Sequence, residues 1–284
     1  RQDSRVACRQ DPEAVRHHLD PRVQPSTTTS RVIPVASRRD LERFINDDNA
    51  FDENTPVNPE TINPGALVLA APPNLPDELV AHLPAAEARA SQNMEAVKAA
   101  STPELESLRQ QLRQAQTPAV PAAAKVIRLR HIAGQWSTVF SSKTACSSGC
   151  SHCCHLAVMV PRSEAKLMAK VMGIKVTEPA AVLDLEGAND AMAYLGVPCT
   201  FLVDNRCSIY DHRPMMCRTL VNMDSVDTLC RIVKGVDVPV PYLNTLEMKA
   251  YFAYLTQTEQ FADIREWFPA VTPQLVGRQS SRLI

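Results

Sequence analysis

Apolar residues recur at helical spacing in several separate stretches of the chain, and the cleanest stripe begins just after residue 100. In "STPELESLRQQLRQAQ" Leu105, Leu108 and Leu112 share one narrow face, the pattern of a helix that packs on another helix. Ser101 is placed to cap it, Pro103 sits in the first turn, and Glu104 completes a capping box. "PAAAKVIRLRHIAGQWSTVF" repeats the pattern, with Val126, Leu129, Ile132, Trp136 and Phe140 on the face to be buried. Lys125, Arg128 and Arg130 are expected on its solvated side. "LAVMV" predicts a short extended piece, and "PRSEAKLMAKVMG" a helix capped by Ser163 and stopped at Gly173. Met159, Met168 and Met172 are expected as core fillers. Another helical stretch ends near Gly196. "NTLEMKAYFAYL" opens with Asn244 and Glu247 in capping-box register, and this helix is expected to continue toward Trp267.

Upstream the periodicity fades. Residues 1–30 predict polar coil and residues 38–47 one short helix. Residues 48–76, with "NPETINPG" and "APPNLP" as turn signals, predict an extended connector or a segment that orders on a partner. Residues 77–100 are Ala-rich and helix-prone, with Pro84 starting or kinking the helix. Composition sharpens the division. Phe44 and Phe51 are the only aromatics before Trp136, most prolines precede residue 122, and the first lysine is Lys98. Eight of the nine cysteines lie in the remainder. The expected organisation is therefore a Pro-, Ala- and Arg-rich arm over 1–122 and a cysteine-bearing domain over 123–284. The expected fold class is mainly α: a helical cysteine-cluster metal-binding domain with irregular loops, preceded by an extended, partly helical N-terminal arm.

A formal net charge of −1 gives no global signature of nucleic-acid or membrane binding. The longest apolar run of the arm, Ala66 to Pro73, is too short to span a bilayer. The first thirty residues hold no apolar stretch of the secretory type, so the expected compartment is cytoplasmic. In a reducing compartment, clustered cysteines serve metal or redox chemistry more often than disulfides. No Gly-rich phosphate cradle is present among the eight scattered glycines.

The cysteines carry the chemistry. "CSSGCSHCCH" places Cys146, Cys150, Cys153 and Cys154 within nine residues, and Cys199, Cys207, Cys217 and Cys230 follow. Thiolates are soft ligands suited to zinc and to iron–sulfur clusters. Four of them close a structural zinc site or hold a four-iron cluster. Adjacent cysteines rarely both reach one ion, so one of Cys153 and Cys154 is expected to face a second centre or to be buried. Eight thiols suffice for two sites. Their number, with few acidic or histidine ligands in the motif, favours an iron–sulfur cluster of the 4Fe-4S type, with zinc the alternative. His152, His155 and His212 are read as hydrogen-bonding neighbours rather than ligands, and Cys8 as incidental.

The first motif, together with "PCTFLVDNRCSIYDHRPMMCR" over 198–218, resembles the CxxCxxCC cysteine-cluster family of zinc- or iron-chelating domains. The segments that carry the likeness are Pro198–Leu202, Cys207–Tyr210 and Arg213–Arg218, and the helix with Glu164 is similar too. The resemblance covers about 140–232 and leaves everything before residue 120 aside. It implies that Cys146, Cys150, Cys153, Cys154, Cys199, Cys207 and Cys217 occupy motif positions, with Cys230 an eighth by position. Arg213 is then expected to neutralise thiolate charge, and Tyr210 to pack.

Three functions follow. The first is a metalloprotein with a structural or electron-transferring cluster, an assembly component whose arm docks a protein partner. The second, implied by the resemblance because that family includes flagellin lysine N-methylases, is a protein-modifying enzyme. No Gly-rich donor loop supports it from the residues themselves. The third is a secreted disulfide-stapled module.

Overall fold

The computed structural model describes residues 69–115, 121–147, 149–190 and 194–269. The helix expected over 38–47, and Cys8, lie outside these residues. The described chain is mainly helical, with two small sheets of two strands each.

Helix α1 spans Asp77–Val80 and α2 spans Leu83–Ala115. The break expected at Ser101 takes a milder form. Ser101 leaves helical geometry at φ −129° and ψ 22°, yet the chain continues helically on either side. Pro103, two residues later, lacks the N–H that would knit the two halves together. The leucine stripe lies where the periodicity places it: Leu105, Leu108 and Leu112 are buried against α3, Ala122–Ser141. From α3 come Val126, Leu129, Ile132, Trp136 and Phe140, all buried.

One core takes in both helices together with Met215, Val221, Met223, Leu243, Met248, Tyr251 and Phe252. The start of the arm is held as well. Leu75, Leu79, Leu83 and Ala86 pack with Leu229, Val238 and Val240. Arg89 grips the buried carboxylate of Asp224 with two bonds, Nε to Oδ1 at 2.6 Å and Nη2 to Oδ2 at 2.9 Å. The helical part of the arm thus shares its core with the cysteine-bearing segments.

A second core lies beyond a small antiparallel sheet, where β1 (Met159–Pro161) pairs with β4 (Phe261–Asp263). Helix α4, Arg162–Met172, follows β1 directly and ends at Gly173, whose φ of 66° suits a left-handed C-cap. Met168 and Met172 fill this core and Met159 the adjoining small cluster. The cap of α4 differs from expectation. The helix begins at Arg162, and Ser163 supplies no side-chain cap. Instead the Glu259 carboxylate accepts both the Ser163 N–H at 2.8 Å and its hydroxyl at 2.7 Å.

Helix α5 covers Leu185–Asp190, the β2–β3 hairpin Leu202–Cys207, α6 Met215–Arg218, α7 Leu246–Thr256 and α8 Ile264–Trp267. The N-cap of α7 is Thr245, which makes no side-chain cap; Asn244, expected there, stands one residue earlier with its Oδ1 accepting the Leu246 N–H at 3.0 Å. However, α7 stops at Thr256 and does not run on to Trp267. The Glu259–Phe261 stretch turns the chain into β4, which buries Ala262 and Ile264 in the second core and Phe261 in the adjoining small cluster. Among the described residues no helix is long and apolar enough to cross a membrane.

Leu108 is 2% exposed, so Leu108→Ala should lower the stability of the whole molecule by about 2–5 kcal/mol. Urea unfolding followed at Trp267, in the second core, reports it. A Trp267 transition that stays in place would show that the arm folds apart from the cysteine-bearing part.

Candidate metal centre

The first cysteine loop starts where α3 ends. Two carbonyl-capped turns, Lys143 N–H to Phe140 O and Thr144 N–H to Ser141 O, close the helix. Ala145 N–H then donates to Asp224 O at 2.8 Å, which pins the loop to the segment leading to Cys230. Gly149 turns the chain at a φ of 102°, a conformation open to glycine. A 3₁₀ turn over His152–His155 presents the adjacent pair Cys153 and Cys154.

The second set is placed by short elements. Cys199 N–H donates to Cys154 O at 2.7 Å, so the two sets meet through the backbone. Cys207 ends a tight hairpin in which Leu202 pairs with Cys207 and Val203 with Arg206. Asp204 and Asn205 form its turn with φ of 48° and 57°, the double positive φ that such two-residue loops demand. Cys217 rides on α6, which Pro214 opens at its N-cap. Cys230 closes a 3₁₀ turn over Thr228–Cys230.

Several thiols already have donors aimed at them. The backbone of His152 hydrogen-bonds Cys150, that of Phe201 bonds Cys199, and that of Ile209 bonds Cys207. Each donor lies two residues after its sulfur. Asn222 joins two cysteines far apart in sequence: its N–H reaches Cys146 Sγ and its Nδ2 reaches Cys230 Sγ, both at 3.3 Å. These bonds favour thiolate over thiol.

Burial works against them. It pushes up the thiols of Cys146, Cys150, Cys199, Cys207, Cys217 and Cys230, Cys199 to about 11 and Cys230 to about 12. Within the adjacent pair, Cys154 bonds Cys153, which draws Cys153 down and drives Cys154 up. Arg213 opposes the burial at Cys146, Cys207 and Cys217 and adds to the lowering of Cys153. This is the charge-neutralising role expected of it. Its guanidinium lies 3.6 Å over the Tyr210 ring, so Tyr210, 46% exposed, serves as a platform for Arg213. The expectation that Tyr210 packs holds in this form.

The electrostatic coupling divides the eight sulfurs. Cys230 responds to Cys146, Cys150 and Cys153, and Cys150 responds to Cys153 and Cys146. Cys217 responds to Cys153, Cys199 and Cys207, Cys154 responds first to Cys153 and then to Cys217 and Cys207, and Cys207 responds to Cys153 as well. Cys153 stands at the junction of the two groups. All eight are free thiols. Among the described residues no three His, Cys, Asp or Glu side chains are yet gathered into a metal-holding shell. The sulfurs share two neighbourhoods without closing either. The histidine rings are turned elsewhere: His152 Nε2 meets Asp227 Oδ2 at 3.1 Å and His155 Nδ1 meets Ser151 O at 3.1 Å.

Two arginines escaped the sequence reading. Arg130 was expected on a solvated face but is only 8% exposed. Its Nε lies 2.9 Å from Oε1 of the fully buried Glu164, and its Nη2 donates to His212 O and Arg213 O at 3.0 Å each. The correction has a plain cause: Glu164 is buried on α4 and also accepts the Met215 N–H at 2.8 Å, so a cation must come to it.

Arg265 is the second. Its Nη1 forms a fork with both oxygens of buried Asp263, at 2.8 and 3.0 Å. Its Nη2 donates to Cys154 O, Leu156 O and Val197 O, and its Nε to Pro198 O. It therefore binds the end of the first cysteine loop to the start of the second. The one sequence signal was an Asp-x-Arg pair, Asp263 and Arg265, among the aromatic and aliphatic residues of "FADIREWF".

Residues 145–234 match the CxxCxxCC family model, whose description reads "Putative zinc- or iron-chelating domain". The match spans all eight clustered cysteines and supports metal binding through them. Neither a curated protein nor a solved structure matches the chain.

Removing Arg265 would leave Asp263 buried without its cation, the carbonyls of Leu156, Val197 and Pro198 without their donor, and Cys154 O with the Cys199 N–H alone. Arg265→Met should cost on the order of 3–5 kcal/mol in urea unfolding and reduce bound metal. Lysine, a single point donor, should recover only part of both. Wild-type stability and metal content in Arg265→Met would remove the clamp from this account.

Proposed function

We propose that this protein is a metalloprotein with two cysteine-held centres. Cys146, Cys150, Cys153 and Cys230 hold one, and Cys154, Cys199, Cys207 and Cys217 hold the other. The observation that carries this reading is the pairing of distant cysteines on each side: Asn222 bonds both Cys146 Sγ and Cys230 Sγ, while Cys199 N–H bonds Cys154 O, with Cys153 between the two groups. A shared pair lets one short turn serve both centres, since two neighbouring side chains reach a single ion poorly.

The donor set favours iron–sulfur over zinc. Both groups are all sulfur, and the rings of His152 and His155 are engaged with Asp227 and Ser151. Backbone donors at Cys150, Cys199 and Cys207, with Arg213 alongside, suit sulfurs that carry negative charge. A four-iron cluster would supply one-electron chemistry or a structural tie. The chain's own contribution is to half-bury most of the sulfurs, orient them and offset their charge. The protein partner expected of the arm falls to residues before 69, because residues 75–115 pack into the cores of the cysteine-bearing part.

The test is metal and acid-labile sulfide on anaerobically purified protein, with single-cysteine variants. Two four-iron clusters should give about eight iron and eight sulfide per chain and broad visible absorption. Cys217→Ser and Cys230→Ser should each remove roughly half, and the double variant all. Zinc at about two per chain without sulfide would keep the two centres and discard the clusters. Complete loss of metal from either single variant would mean one centre.

A further inference from the structure

A cavity of about 190 Å³ opens beside this site. It lies between α3, α4 and the Asp211–Arg218 segment, and its lining includes Arg130, His131, Asp211, His212 and Arg218 together with Ile127, Met168 and Val171. Nothing in the metal-centre account uses it.

The two guanidiniums are fixed on one side and open on the other. Arg218 donates from Nε to Arg213 O at 2.7 Å and from Nη2 to Asp211 O. Arg130 is held by its two carbonyls and Glu164. Among the described residues neither Nη1 has an acceptor, and neither is a buried orphan. Gly134 keeps the space clear, for a Cβ there would stand 2.7 Å from Arg218 Nη1. A mid-helix glycine costs about 1 kcal/mol against alanine, and here it seats an arginine at the cavity. The rim is of a different kind. Ile127 is 50% and Val171 47% exposed, large apolar side chains at the mouth, above fully buried Met168.

We infer that this cavity binds a small organic carboxylate, its head on Arg130 and Arg218 and its apolar body against Ile127, Met168 and Val171. Two preorganised donors in one recess match one carboxylate. Asp211, the one carboxylate in the lining, is exposed at the rim and disfavours a second negative charge, which selects against phosphate. The N–H groups of His131 and His212 can add hydrogen bonds. The volume is below that of a drug-sized pocket, so the body is short.

The experiment is calorimetric titration of the full chain as purified with butyrate, hexanoate, inorganic phosphate and hexylamine, with metal content measured on each sample. Hexanoate should bind one to one and more tightly than butyrate, while phosphate and hexylamine should not bind. Val171→Asp, at the exposed rim, should weaken hexanoate about ten- to hundredfold with metal content unchanged. Arg218→Gln should do the same; if it loses metal through its neighbour Cys217, Val171→Asp decides. Hexanoate that does not bind, or that binds wild type and Val171→Asp alike, overturns the assignment. So does phosphate or hexylamine binding as well as hexanoate.

Discussion

The guanidinium of Arg265 is the point on which the geometry of this protein turns. The two cysteine segments have almost no regular structure of their own, so something must satisfy their backbone carbonyls and hold them in register. An interior carbonyl left unpaired costs free energy comparable to a lost hydrogen bond. Arg265 accounts for four of them, at Cys154, Leu156, Val197 and Pro198, while Asp263 neutralises its charge. The position of that ion pair is itself set by the β1–β4 sheet, since Asp263 pairs with Met159 and accepts the Val158 N–H. A sheet of three residue pairs therefore fixes loops whose own sequence has no periodicity.

The same principle recurs on the other side of the cysteines. Glu164 is wholly buried, and burial raises its carboxyl above the usual range despite Arg130 beside it. Arg218 is lowered to about 10 by burial, with Arg130 and Arg213 repelling it. Three guanidiniums crowded near two carboxylates and a set of thiols is a costly arrangement in isolation. It becomes intelligible if anionic ligands and sulfurs complete it: Arg213 faces the thiols, and Arg130 and Arg218 face the cavity.

The helices were legible from the chain because burial there follows a period. Val126, Leu129 and Ile132 announce their face, and Gly173 announces a stop, through geometry that any amphipathic helix obeys. The cysteines were legible as a metal site because sulfur at that density has few other uses. The misreadings share a cause. Arg130 was placed in water because arginine is seldom buried, and only the distant Glu164 reverses that. Ser163 was read as a cap because capping is local, whereas the acceptor was Glu259, 96 residues away. The strand at Phe261–Asp263 is hidden because three residues carry no period, and its partner lies a hundred residues back.

The relation between fold and metal follows from the same accounting. In small metal-dependent domains the ion replaces a core that the chain is too short to build. Here the cysteines are flanked by two large apolar cores, one around Leu129, Phe252 and the α2 leucines, the other around Trp267, Phe201 and Met216. Cys199, Cys207 and Cys217 pack against the second core and Cys146 against the first. These four sulfurs thus lie along the seam between the two cores, and Cys230 packs against the third, around Leu229. Burial holds most of those thiols protonated on their own, and a bound cation would reverse that balance. A site in this position is less a substitute for the core than a charge-dependent bond across the seam.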